Sequence, residues 1–301
     1  MGPSLREIEA FLATVTLVKD EVNGDALMRR ESWKEVDDYW RSQAARFWHT
    51  LKLMARWLPS RRPLRILEVG AAPYFFTAVM HRYVPCSIVG VNVQAGVWPG
   101  EPRSVRRCQV QIAAECKAFN FDVYVLNVER DRFPFEASSF DAVLCMEVIE
   151  HLGYSPTHML AQIHRVLGTD GLLVLSTPNA VSLERMAFLL LNRSPYFPYS
   201  GYGFYGRHQR EFTLDELVTL TEACNYQILE ARYANVYPRP HYSLAKRIVF
   251  KFFHAVTSLP IAYLQAKREY LFVMARPIGE PRLSYPESLY YYPHLYPQAM
   301  P

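Results

Sequence analysis

From residue 63 onward, short apolar runs alternate with segments of helical periodicity, and that alternation constrains the fold more than any other feature of the chain. The runs at 65–69, 87–91, 123–128, 140–146 and 172–177 are short, rich in β-branched residues and bounded by turn formers, as strands are. Two later runs, 226–236 and 269–275, read the same way. Strands separated by helices pair in parallel, and a parallel sheet must be covered on both faces. The expected fold class is therefore α/β, a mostly parallel seven-stranded sheet flanked by helices.

The flanking segments divide the rest of the chain. Residues 1–62 predict an N-terminal helical extension, with Trp33, Trp40, Trp48 and Trp57 at helical spacings suited to packing. Residues 63–236 form the core, and 237–276 carry an amphipathic insertion and the last strand. The tail, 277–301, is rich in proline and tyrosine and lacks the periodicity of a packed element, so it is expected to be extended or disordered. Within the core, Ser155-Pro156 predicts a helix start, and Thr213 with Glu216 spells a capping box.

Composition narrows the class of partner. A net charge of +4 over 301 residues is mild and falls short of a phosphate-binding stripe, so it neither calls for a nucleic-acid partner nor rules one out. Five scattered cysteines without CxxC spacing suit reduced thiols, and no leader-like or membrane-spanning apolar run is present; a cytoplasmic or membrane-peripheral protein is expected. In the insertion, Arg247, Lys251 and His254 share one helical face, and Ile248, Val249, Phe252, Phe253 and Val256 spread over the other. A helix of that kind over 244–259 lies on an anionic membrane or covers a substrate pocket. The sequence does not choose between the two, and it leaves the oligomeric state open.

The first core strand runs Ile66-Leu67-Glu68-Val69-Gly70-Ala71-Ala72-Pro73-Tyr74 and ends in a tight turn, where open α/β sheets bind nucleotide-like ligands. It resembles the first motif of class I S-adenosylmethionine-dependent methyltransferases, the type 11 and ubiquinone-pathway O-methyltransferase-like group, whose fold is Rossmann-like. Glu68 and Gly70 match its acidic and first glycine positions, whereas Ala72 and Tyr74 replace the later glycines. A tyrosine there is expected to change the floor beside the methionine moiety. The second strand ends in Asn92 where the family carries a ribose-binding acid. Further matches are Leu126-Asn127-Val128-Glu129, the run from Phe140 through Met146, Glu147, Glu150 and His151 to Leu152, the strand ending Thr177-Pro178-Asn179, and Arg207-His208-Gln209-Arg210-Glu211-Phe212. A dinucleotide-binding protein would need the glycines and an acid after the second strand, and both are missing.

The resemblance implies S-adenosylmethionine as cofactor, held by Glu68, Gly70, Ala72, Asn92, Asn127, Val128 and Met146. Methyl transfer is a displacement at a sulfonium, so the protein supplies alignment and, for a hydroxyl acceptor, a base. His208, His151 and Glu147 are the catalytic candidates. Glu147, Glu150, His151 and His208 also resemble the metal site of small-RNA 2′-O-methyltransferases, which implies Mg²⁺ or Mn²⁺; the same residues serve elsewhere in the superfamily as plain architecture. The aromatic run 196–205 is positioned as a lid over an acceptor. The leading expectation is O-methylation of a small molecule or of a glycan or lipid-linked precursor. The alternatives are metal-assisted methylation of RNA or a nucleotide, and a non-catalytic shell of the same fold.

Overall fold

The computed structural model describes residues 2–22, 34–58, 63–93, 105–196, 199, 204–236 and 243–296. Trp33, most of the aromatic lid, the start of the insertion (237–242) and the last five residues fall outside that set.

Nine strands form one sheet: β1 (Thr16–Asp20), β2 (Leu64–Val69), β3 (Cys86–Asn92), β4 (Arg106–Ala114), β5 (Lys117–Val125), β6 (Phe140–Met146), β7 (Leu167–Pro178), β8 (Tyr226–Ala234) and β9 (Tyr270–Pro277). Their order is β1-β4-β5-β3-β2-β6-β7-β9-β8. The five central strands, β5 through β7, run parallel, and an antiparallel pair closes each edge. All seven expected strands are present, but the sheet has nine. Both additions are antiparallel strands at one edge.

The added pair has a physical signature. In β4, Cys108, Val110, Ile112 and Ala114 are buried at every second position, while the residues between face outward or are half-covered. Glu115 and Cys116, both at positive φ (49° and 62°), turn the chain directly into β5, which therefore begins at Lys117 and not at Val123. Strand β1 then pairs with β4. The N-terminal extension is thus helix, strand, helix: α1 (Leu5–Leu12), β1 and α2 (Lys34–Met54). Thr16, Leu17 and Val18 complete a sheet edge where a continuous helical extension was expected.

Side-chain alternation builds a core on each face of the sheet. Ile66, Leu144, Val174 and Phe272 point into the layer covered by α1, α2 and α3 (Phe75–Tyr83), together with Trp40 and, partly buried, Trp48 and Trp57. Leu67, Val143, Leu173 and Val273 point into the layer covered by α4 (Thr157–Val166) and α6 (Leu214–Ala223). Burying each such side chain contributes about 1.5–3 kcal/mol. The expected capping box at Thr213 and Glu216 is present. The N-cap of α4 is Pro156 and not Ser155 as expected, so the helix starts just after the proline; Ser155 Oγ, one residue further out, accepts from Thr157 N at 3.3 Å.

Helix α5 (Leu183–Leu190) follows β7, and the insertion forms α7 (Leu244–Ser258) and α8 (Ala262–Gln265) between β8 and β9. The tail leaves β9 without regular structure except a 3₁₀ turn at Pro293–Leu295. It is nonetheless anchored: the Tyr290 hydroxyl lies 2.8 Å from Ser155 Oγ, and its ring packs on the second core. Cys108, Cys145 and Cys224 are buried, whereas Cys116 is exposed at its hairpin tip.

Candidate functional site

The turn after β2 decides what can approach the sheet. Gly70 has φ of 73°, and a Cβ there would sit 2.4 Å from Val148 Cγ2, so both conformation and space require glycine. Its amide donates to Val91 O at 2.8 Å, fixing the turn against β3. Tyr74 adopts φ of 66°, the conformation a glycine would have supplied, at the start of α3. Its ring does not form a floor beside the cofactor as expected. It is buried edge-on against Phe121, with its hydroxyl 3.4 Å from Asp20 Oδ1, and Ala72 lines the opening instead.

The opening is a cleft of about 200 Å³ that widens into solvent. Gly70, Ala72, Asn92, Asn127, Val128, Glu147 and His151 line it, together with Leu152 and Tyr205. These come from the C-terminal ends of β2, β3, β5 and β6, the end at which such sheets bind ligands. Asn127 is held rigidly: Nδ2 donates to Tyr205 Oη (2.8 Å) and Oδ1 accepts from Glu129 N (2.9 Å). Glu129 in turn accepts from Tyr205 Oη (3.0 Å) and from Tyr154 N (2.6 Å), which ties this end of the lid segment to the cleft wall.

Glu68, Met146, Glu150 and His208 do not line the cleft. Glu68 lies below it, accepting from Thr77 Oγ1 at 2.5 Å, and burial pushes its carboxyl up to about 7. Protons bound to folded Glu68 between its ordinary value of 4.5 and 7 favour the fold, so this group's contribution is present at low pH and fades as pH rises through 7. We expect Glu68→Gln to match the wild type near pH 4.5 and to exceed it by up to about 3 kcal/mol above pH 8. Urea melts across that range check it; a difference that stays flat with pH would rule out burial of an ionising Glu68.

Glu147 stands at the end of β6 with φ of 58°. Its carboxylate accepts from Ser176 Oγ (3.1 Å) and Tyr270 Oη (2.5 Å), and lies 3.9 Å from Arg46 Nη1. Arg46 comes from α2 and is only 2% exposed. Neither Arg46 nor Tyr270 was marked by sequence, because each sits outside the motif-bearing turns and reaches the site only through tertiary packing.

One turn later, Glu150 is fully buried. Its Oε2 accepts from Thr177 Oγ1 at 2.9 Å, Oε1 has no hydrogen-bond partner among the described residues, and burial together with the Glu147 carboxylate holds its carboxyl well above the ordinary range. His151 Nδ1 donates to Arg207 O (3.0 Å) and His208 Nδ1 to Glu211 Oε1 (2.7 Å), since a carbonyl and a carboxylate can only accept. Both rings therefore turn Nε2 toward Glu150 Oε1, each 4.0 Å away. Burial and the neighbouring His208 bring His151 down to about 4. The amides of Gln209 and Arg210 donate to Glu150 O (2.6 and 3.2 Å), which seats the His208 segment on the 3₁₀ turn Ile149–His151.

A divalent cation fits this cluster in part. Glu150, His151 and His208 offer one donor each within 4.8 Å of one another, and their second nitrogens are already oriented by acceptors, as metal-bound histidines are. Glu147, the fourth residue expected from sequence, turns its carboxylate to Ser176 and Tyr270 instead.

The sequence profile of the methyltransferase domain family matches residues 38–231. Among solved structures, the chain resembles the Burkholderia thailandensis 1,6-didemethyltoxoflavin N1-methyltransferase (20% identity, 83% of this chain and 85% of that one, TM-score 0.45). It also resembles an Archaeoglobus fulgidus SAM-dependent methyltransferase (12%, 80% and 97%, 0.47). A chain in the complex of the Haloferax volcanii Trm112 methyltransferase activator with its methyltransferase is similar over 87% of this chain and all of its own (13%, 0.48). A comparison with curated proteins finds no match. The profile covers well over half of the sequence, and the fold has the α/β plan expected of the class. The chain belongs to the methyltransferase domain family.

Proposed function

We propose that the chain transfers the methyl group of S-adenosylmethionine to a hydroxyl of a small molecule or of a glycan or lipid-linked precursor. Gly70, Ala72 and Asn92 would hold the cofactor from the β2 and β3 ends, and Asn127 and Val128 from the β5 end. When bound, the cofactor supplies an electrophilic methyl on a sulfonium, leaving as a neutral thioether. The acceptor oxygen would take that methyl, and its proton would pass to a base on the protein.

The observation that carries this reading is His151 on the cleft wall. With Nδ1 donating to Arg207 O, the neutral ring leaves Nε2 as its acceptor, with Glu150 Oε1 4.0 Å away, and burial keeps the ring neutral through the physiological range. His208 stands behind it, and with Glu211 it fixes the neighbouring loop. Glu147 faces the same cleft and aligns the acceptor.

Incubation with methyl-labelled S-adenosylmethionine and cell extract, separated into aqueous and organic fractions, should label one acceptor class. His151→Asn should lower transfer about 10²–10⁴-fold while cofactor affinity stays within a few fold. Undiminished transfer would refute His151 as base. The three-donor cluster favours a second reading, a cation-assisted 2′-O-methyltransferase of RNA or nucleotides; in that case chelator abolishes labelling and Mn²⁺ restores it.

A further inference from the structure

An amphipathic helix ordinarily turns its apolar stripe inward. Helix α7 does the reverse. Leu244, Ile248 and Phe252, spaced four apart on one stripe, are 72%, 59% and 63% exposed, with Val249 beside them. Thr257 is its one fully buried residue, and His254 faces inward to bond Glu269 Oε1 at 2.9 Å. Helix α5, which packs on α7, buries none of its residues, and Leu189, Leu190 and Leu191 at its end are all exposed. Leu259, Ile261 and Tyr263 continue the surface around α8. Ten of the nineteen exposed large apolar side chains among the described residues lie in these three stretches.

The charge around them is mostly positive, with Glu184 in the first turn of α5 and with Glu211, Glu216 and Glu230 pairing Arg185, Arg210 and Arg232 at the margins. Stretches 185–210 and 231–268 contain no aspartate or glutamate and eleven lysines and arginines, in a chain with 29 acidic residues. Arg247 and Lys251 border the apolar stripe of α7, one turn apart and both exposed. Apolar side chains flanked by long cations are complementary to an anionic lipid surface, where the stems lie in the acyl boundary and the charges reach the headgroups. Among the described residues no helix is long and apolar enough to cross a membrane, so contact of this kind is in the plane of the surface.

The surface also sits at the working end of the sheet. Strand β8 ends and β9 begins at the pair Ala234 and Tyr270, and Tyr270 lies opposite Pro178 at the C-terminal end of β7. Asn179 Nδ2 donates to Ala266 O and Arg268 O (2.9 and 2.7 Å), and the Tyr270 hydroxyl reaches Glu147. The insertion thus hangs from the end of the sheet where the cleft opens.

We propose that α5, α7 and α8 dock the protein on an anionic lipid bilayer, bringing the cleft to the membrane surface. Full-length protein is tested by cosedimentation with sucrose-loaded vesicles of phosphatidylcholine, with and without phosphatidylglycerol. Binding should be at least about tenfold stronger on the anionic vesicles and should fall steeply with salt. Ile248→Ser with Phe252→Ser, and separately Arg247→Ser with Lys251→Ser, should each weaken it about tenfold, with the melting temperature and cofactor affinity unchanged. Equal binding to neutral vesicles would overturn the proposal. So would a failure to bind vesicles coupled to a concentration-dependent dimer that Ile248→Ser with Phe252→Ser dissolves, since that assigns the face to a second copy. Neither result bears on methyl transfer, which the labelling experiment tests separately.

Discussion

Gly70→Arg should abolish binding of S-adenosylmethionine and S-adenosylhomocysteine in calorimetry while leaving a folded protein. At φ of 73° an L-residue pays about 1–2 kcal/mol in backbone strain. Its Cβ would also stand 2.4 Å from Val148 Cγ2, so the Val148 side chain must give way, and the guanidinium enters the cleft. A loss of at least about 100-fold in affinity, equivalent to roughly 2.8 kcal/mol, is expected. The wild type should bind saturably in the micromolar range typical of such sites. A folded wild type with no affinity for either ligand would overturn the catalytic reading and leave a non-catalytic shell; unchanged affinity in the variant would move the cofactor away from this turn.

Arg46→Met should be the most destabilising single change at the site. Arg46 is buried on α2, 3.9 Å from the Glu147 carboxylate, and also bonds Gln43 Oε1 at 2.7 Å. Removing Arg46 leaves the partly exposed Glu147 carboxylate with Ser176 and Tyr270 but without its counter-ion, at a cost of about 1–3 kcal/mol. In a protein of this size that lowers the melting temperature by roughly 2–5 °C. The double variant Arg46→Met with Glu147→Gln should recover part of the loss, because no charge is then left uncompensated. A single variant as stable as the wild type would show that the pair contributes nothing to the fold.

The central sheet was legible because strands buried on both faces read as apolar runs of the right length, and 66–69, 140–146 and 172–177 are of that kind. Strand β4 was hidden because its outward positions carry arginine and glutamine, and β1 because Thr16–Asp20 offers only five residues between two helices. The turns after the strands stand out in the sequence because glycine, asparagine and the Glu-x-x-Glu-His spacing mark them. Arg46 and Tyr270 carry no local mark; an arginine among the alternating charges of α2 reads as solvent-facing until packing places it under Glu147. The direction of the α7 stripe was likewise invisible, since periodicity gives a face and not what the face meets.

Tyr74 joins two of these departures. It occupies the glycine torsion of the cofactor turn, and its hydroxyl reaches Asp20 at the end of β1, the outermost strand of the widened sheet. Restoring the glycine would ease the backbone and at the same time detach β1 from the turn and leave a void against Phe121. The side chain at this torsion therefore couples the turn above the cleft to the outer edge of the sheet.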